Sequence, residues 1–178
     1  MEVENRVPEG VKIIRYPKFK DLRGSFIKVF NSEFFTDHGL VAHFKESYFS
    51  VSDKNVIRGM HFQSPPAETT KLVVLIRGMI LDVILDLRKN SSTFGQYLKV
   101  CINEDEPAAV YIPVGCAHGF RSLEEDSIVL YLQSQVYSPE CDSGIRYDSF
   151  GVDWETDRPV LSERDRAFVS FRDFKSPF

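Results

Sequence analysis

Cysteine is scarce in this chain of 178 residues: Cys101, Cys116 and Cys141 are the whole set, and no C-x-x-C spacing occurs. An odd set without metal-ligand spacing excludes a zinc knuckle and a disulfide framework, and it points to a reducing, cytoplasmic setting. No His-x-His pair stands among the four histidines, His38, His43, His61 and His118. No Glu follows His61 at ligand spacing on the same segment. Three or four converging ligands are therefore not expected, and the expected metal count is none. A large charge excess is missing as well, with 22 Lys+Arg against 26 Asp+Glu and a formal net charge of −4. That balance excludes a broad nucleic-acid groove but leaves room for a local anion pocket. The longest uncharged stretch, Ser127 to Pro139, is too short and too polar to span a bilayer. The charged N-terminus, MEVENRVPEG, has no apolar signal segment. Neither a glycine-rich dinucleotide motif nor a repeat or linker is present, so one domain over residues 1–178 is expected.

Phenylalanine is plentiful, at 15 residues against one Trp. So much rigid apolar surface argues against disorder. The periodicity is mostly that of strands: Val11–Tyr16, Ser25–Phe30, Phe44–Ser52, Leu72–Ile76, Ile80–Leu87, Tyr97–Ile102, Ala109–Ile112 and Ser127–Tyr137 are rich in β-branched and aromatic residues. Arg77-Gly78-Met79 between two apolar runs reads as a tight hairpin turn. Asp82 and Asp86 share one face of their strand, which is expected to be its wetter side. Helices are predicted at Asn31–His38, closed by Gly39, and from Ser162 to Asp165, which has the look of a capping box. Many short strands with Gly-marked turns predict a mainly β fold: a sandwich, jelly roll or barrel with a few short helices. A jelly roll leaves a cavity at its centre where a small ligand fits.

His61 follows Ile57-Arg58-Gly59-Met60, and His118 lies in Ile112–Phe120. Both sit in or beside apolar, strand-like segments, where a satisfied core histidine would also sit. Arg58 precedes His61 by three residues and Lys71 follows it by ten. Together they could bind an organic anion and move a proton, although cations at strand ends are usually only solvated. Tyr131 alternates with Leu130 and Leu132, so it faces the other way with Val129 and Gln133. Its hydroxyl could reach a wet cavity, or could serve structure alone. Asp165 fits the third position of a helix, where an acid caps and meets the dipole. Spacing alone does not join these residues into one site.

A resemblance does. In order along the chain stand Asp21-Leu22-Arg23-Gly24-Ser25-Phe26, Ser50-Val51-Ser52, Arg58-Gly59-Met60-His61-Phe62-Gln63, Lys71-Leu72-Val73, Asp86-Leu87-Arg88, Ser92-Thr93-Phe94-Gly95, Ile112-Pro113, Ala117-His118-Gly119-Phe120, Tyr131, Tyr137, Trp154 and Leu161-Ser162-Glu163-Arg164-Asp165. This series resembles the dTDP-4-dehydrorhamnose 3,5-epimerases, nucleotide-sugar epimerases with a cupin-like jelly roll, or double-stranded β-helix. The resemblance implies one epimerase domain that works without a cofactor on a nucleotide-diphosphate 4-keto-6-deoxysugar. It implies that His61 removes a proton beside the C4 ketone and that Asp165 holds His61 in its working tautomer. Tyr131 would return a proton from the opposite face, and Lys71 would stabilise the enolate. Arg23 and Arg58, with His118, would hold the diphosphate. It also implies a homodimer in which N-terminal segments lend Arg23 and Phe26 to the neighbour's site, Phe26 packing a base or the partner.

Three positions depart from the family pattern. Lys28 stands where an acid is common, and Glu46 and Tyr48 stand where Gln and Asn are usual. These positions, like Tyr137, resemble ones at the nucleotide end. A carboxylate accepts the N3–H of thymine whereas a Lys only donates. A base other than thymine (a CDP- or GDP-linked sugar) is therefore one expectation, and a solvent-facing Lys28 is the other. The resemblance leaves open whether C3, C5 or both are inverted, and a non-catalytic sugar-nucleotide-binding jelly roll is the alternative from another class. Phe62-Gln63 after His61 argues against the related ketoisomerases, which carry a His-x-His there.

Overall fold

Two antiparallel sheets face each other and bury their facing sides. The computed structural model describes residues 1–178. In chain order the elements are β1 (Glu2–Asn5), β2 (Lys12–Arg15), β3 (Phe19–Asp21), β4 (Gly24–Phe26), α1 (Ser32–Asp37), β5 (Glu46–Ser52), β6 (Ile57–Gln63), β7 (Lys71–Arg77), β8 (Met79–Asp86), β9 (Tyr97–Asn103), β10 (Ala108–Ile112), β11 (Cys116–Ser122), β12 (Ser127–Gln133), β13 (Asp142–Gly144) and α2 (Glu163–Arg166). One sheet runs β1-β2-β10-β7-β12-β5, the other β13-β6-β11-β8-β9, and β3-β4 is a separate hairpin. The expected jelly-roll sandwich is thus present.

Three apolar layers hold the sheets. The layer between them joins Val73, Val110 and Val129 of the first sheet to Ile80, Ile84 and Phe120 of the second. Behind the five-stranded sheet, Met60, Phe62, Val83 and Leu85 are covered by Trp154 and the C-terminal Phe171, Phe174 and Phe178. Behind the six-stranded sheet, Ile14, Leu72, Val74 and Ala109 are covered by Phe35 of α1 and by Phe30 and Phe44. Phe35 is fully buried, a placement that stabilises by about 1.5–3 kcal/mol per side chain of this size. Helix α1 starts where expected: Asn31 caps it by accepting from the Phe34 N–H at 2.8 Å, and Gly39 follows with φ +66°.

Two local expectations fail for instructive reasons. Arg77-Gly78-Met79 is not a hairpin turn, because β7 pairs with β10 and β12 whereas β8 pairs with β11 and β9. It is the corner where the chain leaves one sheet for the other. Gly78 has φ +86°, and a Cβ there would lie 2.5 Å from Ser127 Oγ. The face carrying Asp82 and Asp86 is not wet either, since both are 0% exposed. Asp86 accepts from Arg88, Ser91 and Thr93, and Asp82 accepts from His118. Buried carboxylates persist when hydrogen-bonded in this way. The strands foreseen at Ser25–Phe30 and Ser127–Tyr137 also stop early, at Phe26 and Gln133.

Candidate active site

Between the sheets lies a cavity of about 520 Å³, lined by His61, His118, Arg58 and Gln63 from the five-stranded sheet and by Lys71, Tyr131, Gln133, Tyr48, Ser50 and Glu46 from the six-stranded one. Tyr137, Asp142 and Arg164 complete its wall.

The His61 wall is made by a bulge. Strict alternation would put Arg58 and His61, three residues apart, on opposite faces of β6. Both line the cavity nonetheless. His118 of β11 is opposite His61 and Phe120 is opposite Arg58, so β6 holds one residue too many between these pairs. Gly59 absorbs it at φ +132°, where a Cβ would lie 2.5 Å from Gly119 Cα. A Gly inside a strand is the usual mark of such a bulge. The bulge also supplies an anchor. Asp165 Oδ2 accepts from the Gly59 N–H at 3.0 Å, and Asp165 Oδ1 pairs with His61 Nε2 at 2.9 Å. Asp165 is the third residue of α2, its N–H donates to the Ser162 cap, and its carboxylate turns to His61 instead of closing the capping box.

This geometry sets the chemistry of the pair. Burial alone would raise the Asp165 carboxyl, but its bonds to His61 and to the Gly59 N–H outweigh that and hold it below the usual carboxylate range. The ionised Asp165 accepts a hydrogen bond from Nε2–H, which leaves His61 Nδ1 as the basic nitrogen. Burial lowers the His61 pKa, Asp165 opposes this, and Lys71 and Arg164 add to the lowering. The result is a neutral imidazole at pH 7. Phe168 meets the His61 ring edge-on, with centroids 5.7 Å apart.

Lys71 crosses from the other sheet and donates to the His61 carbonyl at 3.2 Å. Its burial lowers its pKa to about 8, with Asp142 opposing the fall. Burial pushes the Tyr131 phenol well above its ordinary value, and the nearby Ser50 hydroxyl opposes that rise. His118 Nε2 pairs with Asp82 Oδ1 at 2.6 Å, deep in the wall. Arg58 bonds Ser52 Oγ and the Val51 carbonyl, each at 3.0 Å, and so ties β6 to the edge strand β5.

The structure therefore brings His61, Asp165, Lys71, Tyr131, Arg58, His118, Glu46, Tyr48 and Tyr137 to one place. Glu46 accepts from the Tyr137 N–H at 2.5 Å beside the mouth. Tyr48 stacks on Tyr131 with centroids 4.8 Å apart. Arg23, Phe26 and Lys28 are not brought there. Arg23 and Phe26 lie on the exposed β3-β4 hairpin, where Arg23 pairs with Asp21, and Lys28 is exposed just beyond it. Sequence reasoning missed Gln63, Asp142 and Arg164. The first was readable, because Gln63 is two residues after His61 on a strand and shares its face. Asp142 opens the short strand β13 and Arg164 lies in α2; they pair at 2.6 Å across 22 residues, a separation that no periodicity marks.

A sequence model described as dTDP-4-dehydrorhamnose 3,5-epimerase matches residues 7–173. The chain belongs to the dTDP-4-dehydrorhamnose 3,5-epimerase family. It is 39% identical over 170 residues to the dTDP-4-dehydrorhamnose 3,5-epimerase of Methanothermobacter thermautotrophicus, covering 93% of this chain and 91% of the relative. The crystal structure of the Sulfolobus tokodaii dTDP-4-dehydrorhamnose 3,5-epimerase superposes with TM-score 0.92 at 39% identity, over 98% of this chain and 97% of that one. The dTDP-6-deoxy-D-glucose-3,5-epimerase of Legionella pneumophila, solved in complex with dTDP-4-keto-L-rhamnose, gives TM-score 0.93 at 31% identity, over 98% and 94%. The fold of this epimerase family member is the cupin-like jelly roll, and its enzyme class is isomerase.

Proposed function

We propose that residues 1–178 form one epimerase domain that inverts carbon next to the C4 ketone of a dTDP-linked 4-keto-6-deoxyhexose. The observation that carries this reading is that His61 and Tyr131 enter one cavity from opposite sheets. Inversion beside a ketone needs a proton taken from one ring face and another delivered to the opposite face. His61 Nδ1 takes the first, with Asp165 stabilising the imidazolium that forms. The electron pair moves into the C4 carbonyl as an enolate, which the Lys71 ammonium stabilises. The Tyr131 hydroxyl then protonates the same carbon from the other side. Its raised pKa keeps it protonated until the enolate forms. Solvent water then takes the proton from His61 and returns one to Tyr131, which completes the cycle, so the reaction as proposed draws on no cofactor.

Arg58 and Arg164 supply positive charge for the diphosphate, and His118 lines the same cavity. Glu46 and Tyr137 sit together at the mouth, suited to the nucleoside. Thymine is the base we assign, and the exposed Lys28 does not argue against it from within this chain. A second copy of the chain completes the site. The β3-β4 hairpin is exposed throughout, with Phe26 at 61%, and the outer face of β5 bares Phe49 and Val51. Both surfaces suit an apolar partner such as the same chain. A homodimer that seats the hairpin at its neighbour's cavity puts Arg23, Phe26 and Lys28 to use. The three free cysteines suit a reducing, cytoplasmic location. No helix is long and apolar enough to cross a membrane.

The test pairs NMR analysis of product with binding of dTDP, CDP, GDP and UDP. Inversion at C3, C5 or both, with dTDP bound most tightly, supports the assignment. Preference for CDP or GDP would overturn the base, and a mass of one 20.5 kDa chain by sedimentation would overturn the dimer.

A further inference from the structure

Tyr48 and Tyr131 are Cα partners across β5 and β12, so their side chains leave the sheet side by side on the cavity face. Their rings stack at 4.8 Å with planes 19° apart. The Tyr48 hydroxyl accepts from Gln133 Nε2 at 2.8 Å, and Gln133 is 5% exposed. Gln133 shares the Tyr131 face of the same strand, two residues on. Tyr48 is therefore braced from the strand that carries the ring it covers. His118 meets the Tyr131 ring edge-on at 6.1 Å, and its own ring is fixed by Asp82. Aromatic contacts thus define where the Tyr131 hydroxyl points, whereas His61 is aimed by hydrogen bonds.

We infer that Tyr48 is a positioning residue for Tyr131: it clamps the phenol so that the enolate is protonated on the face opposite His61. The inference rests on the proposed reaction and adds to it a residue that decides how often abstraction ends in inversion. A phenol free to tilt leaves the enolate waiting, and His61 returns a proton to the face from which it came. Loss of the clamp should then uncouple the two halves of the reaction. Solvent exchange continues and inversion falls.

The measurement uses the full-length protein with dTDP-4-keto-6-deoxyglucose in D2O, and NMR reads exchanged substrate and inverted product in one sample. Tyr48→Phe keeps the stacked ring but loses the Gln133 bond, so its ratio of inversion to exchange should stay nearer to wild type than to that of Tyr48→Leu. Tyr48→Leu should lower that ratio by about tenfold, and Tyr48→Thr, which suits an edge strand, gives a second non-aromatic variant should Leu not fold. A ratio unchanged in both overturns the clamp. Equal damage in Tyr48→Phe, or an effect on KM alone, overturns it in favour of direct substrate contact by the hydroxyl. Ring-labelled Tyr131 in the free protein supplies a readout without substrate. Its resonances should stay sharp in wild type and Tyr48→Phe and become averaged in Tyr48→Leu. Absence of exchange in the wild type defeats the reaction, not the clamp. Unaltered Tyr131 resonances in Tyr48→Leu defeat the clamp, not the reaction.

Discussion

Two histidine–aspartate pairs stand side by side in this protein, and they differ in what surrounds them. His61 and His118 are Cα partners on neighbouring strands, and each gives Nε2 to a carboxylate, at 2.9 and 2.6 Å. The His61 side chain is 30% exposed toward the cavity, whereas that of His118 is 4% exposed. Asp165 is satisfied on both oxygens, by His61 and by the Gly59 N–H. Asp82 is fully buried and its Oδ2 has no partner. The same pair of residue types thus yields a base within reach of a ligand in one case and a wall element in the other. What separates them is access and the second hydrogen bond, not residue identity.

That contrast can be broken in steps. His61→Asn should lower exchange and inversion together by ~10⁴, the upper range for a general base, while circular dichroism shows the fold intact. Asp165→Asn should cost up to ~10⁴ in the same assay, as expected where a carboxylate fixes the tautomer of a catalytic imidazole. It should also move the acid limb of activity to lower pH. The sign follows from the cause: Asp165 raises the His61 pKa, so its removal lets burial depress it further. The wild-type acid limb should lie below pH 6.5, because His61 must be neutral and is already lowered from that value. The basic limb should fall as pH rises through about 8, where Lys71 loses the proton that stabilises the enolate. Asp142→Asn should shift that limb down, since Asp142 holds the Lys71 pKa up. Asp82→Asn should have the smallest effect on proton abstraction and act mainly on stability. A loss of about 2 kcal/mol, read as a melting point lower by about 4–8 °C, is expected for a broken buried, charge-assisted bond. If Asp82→Asn instead stopped exchange as completely as His61→Asn, the two pairs would not differ as described.

Much of the fold was legible in the sequence because strand periodicity and caps are local signals. Asn31 and Gly39 bound α1 as expected, and Tyr131 faces inward with Val129 and Gln133 as alternation requires. The failures were also local. Gly78 between two apolar runs looks the same whether the strands pair or part, and only Ser127, far along the chain, explains the Gly. Asp82 looked wet because its partner His118 is 36 residues away. His61 and Asp165 are 104 residues apart, so no spacing rule joins them, and resemblance alone placed them together. A mid-strand Gly59 is the local mark of the bulge, but the residue that demands it, Gly119, lies 60 positions away. Arg23, Phe26 and Lys28 are placed by no pattern within one chain, since none of them lines this cavity.

The central claim is that base and acid act from opposite walls. It is tested most directly by Tyr131→Phe with dTDP-4-keto-6-deoxyglucose in D2O, with deuterium at C3 and C5 and the configuration of the product followed by NMR. The account predicts that His61 still washes deuterium into the sugar while inversion is lost. Full inversion by Tyr131→Phe, or no deuterium at either carbon with the wild-type protein, would contradict it.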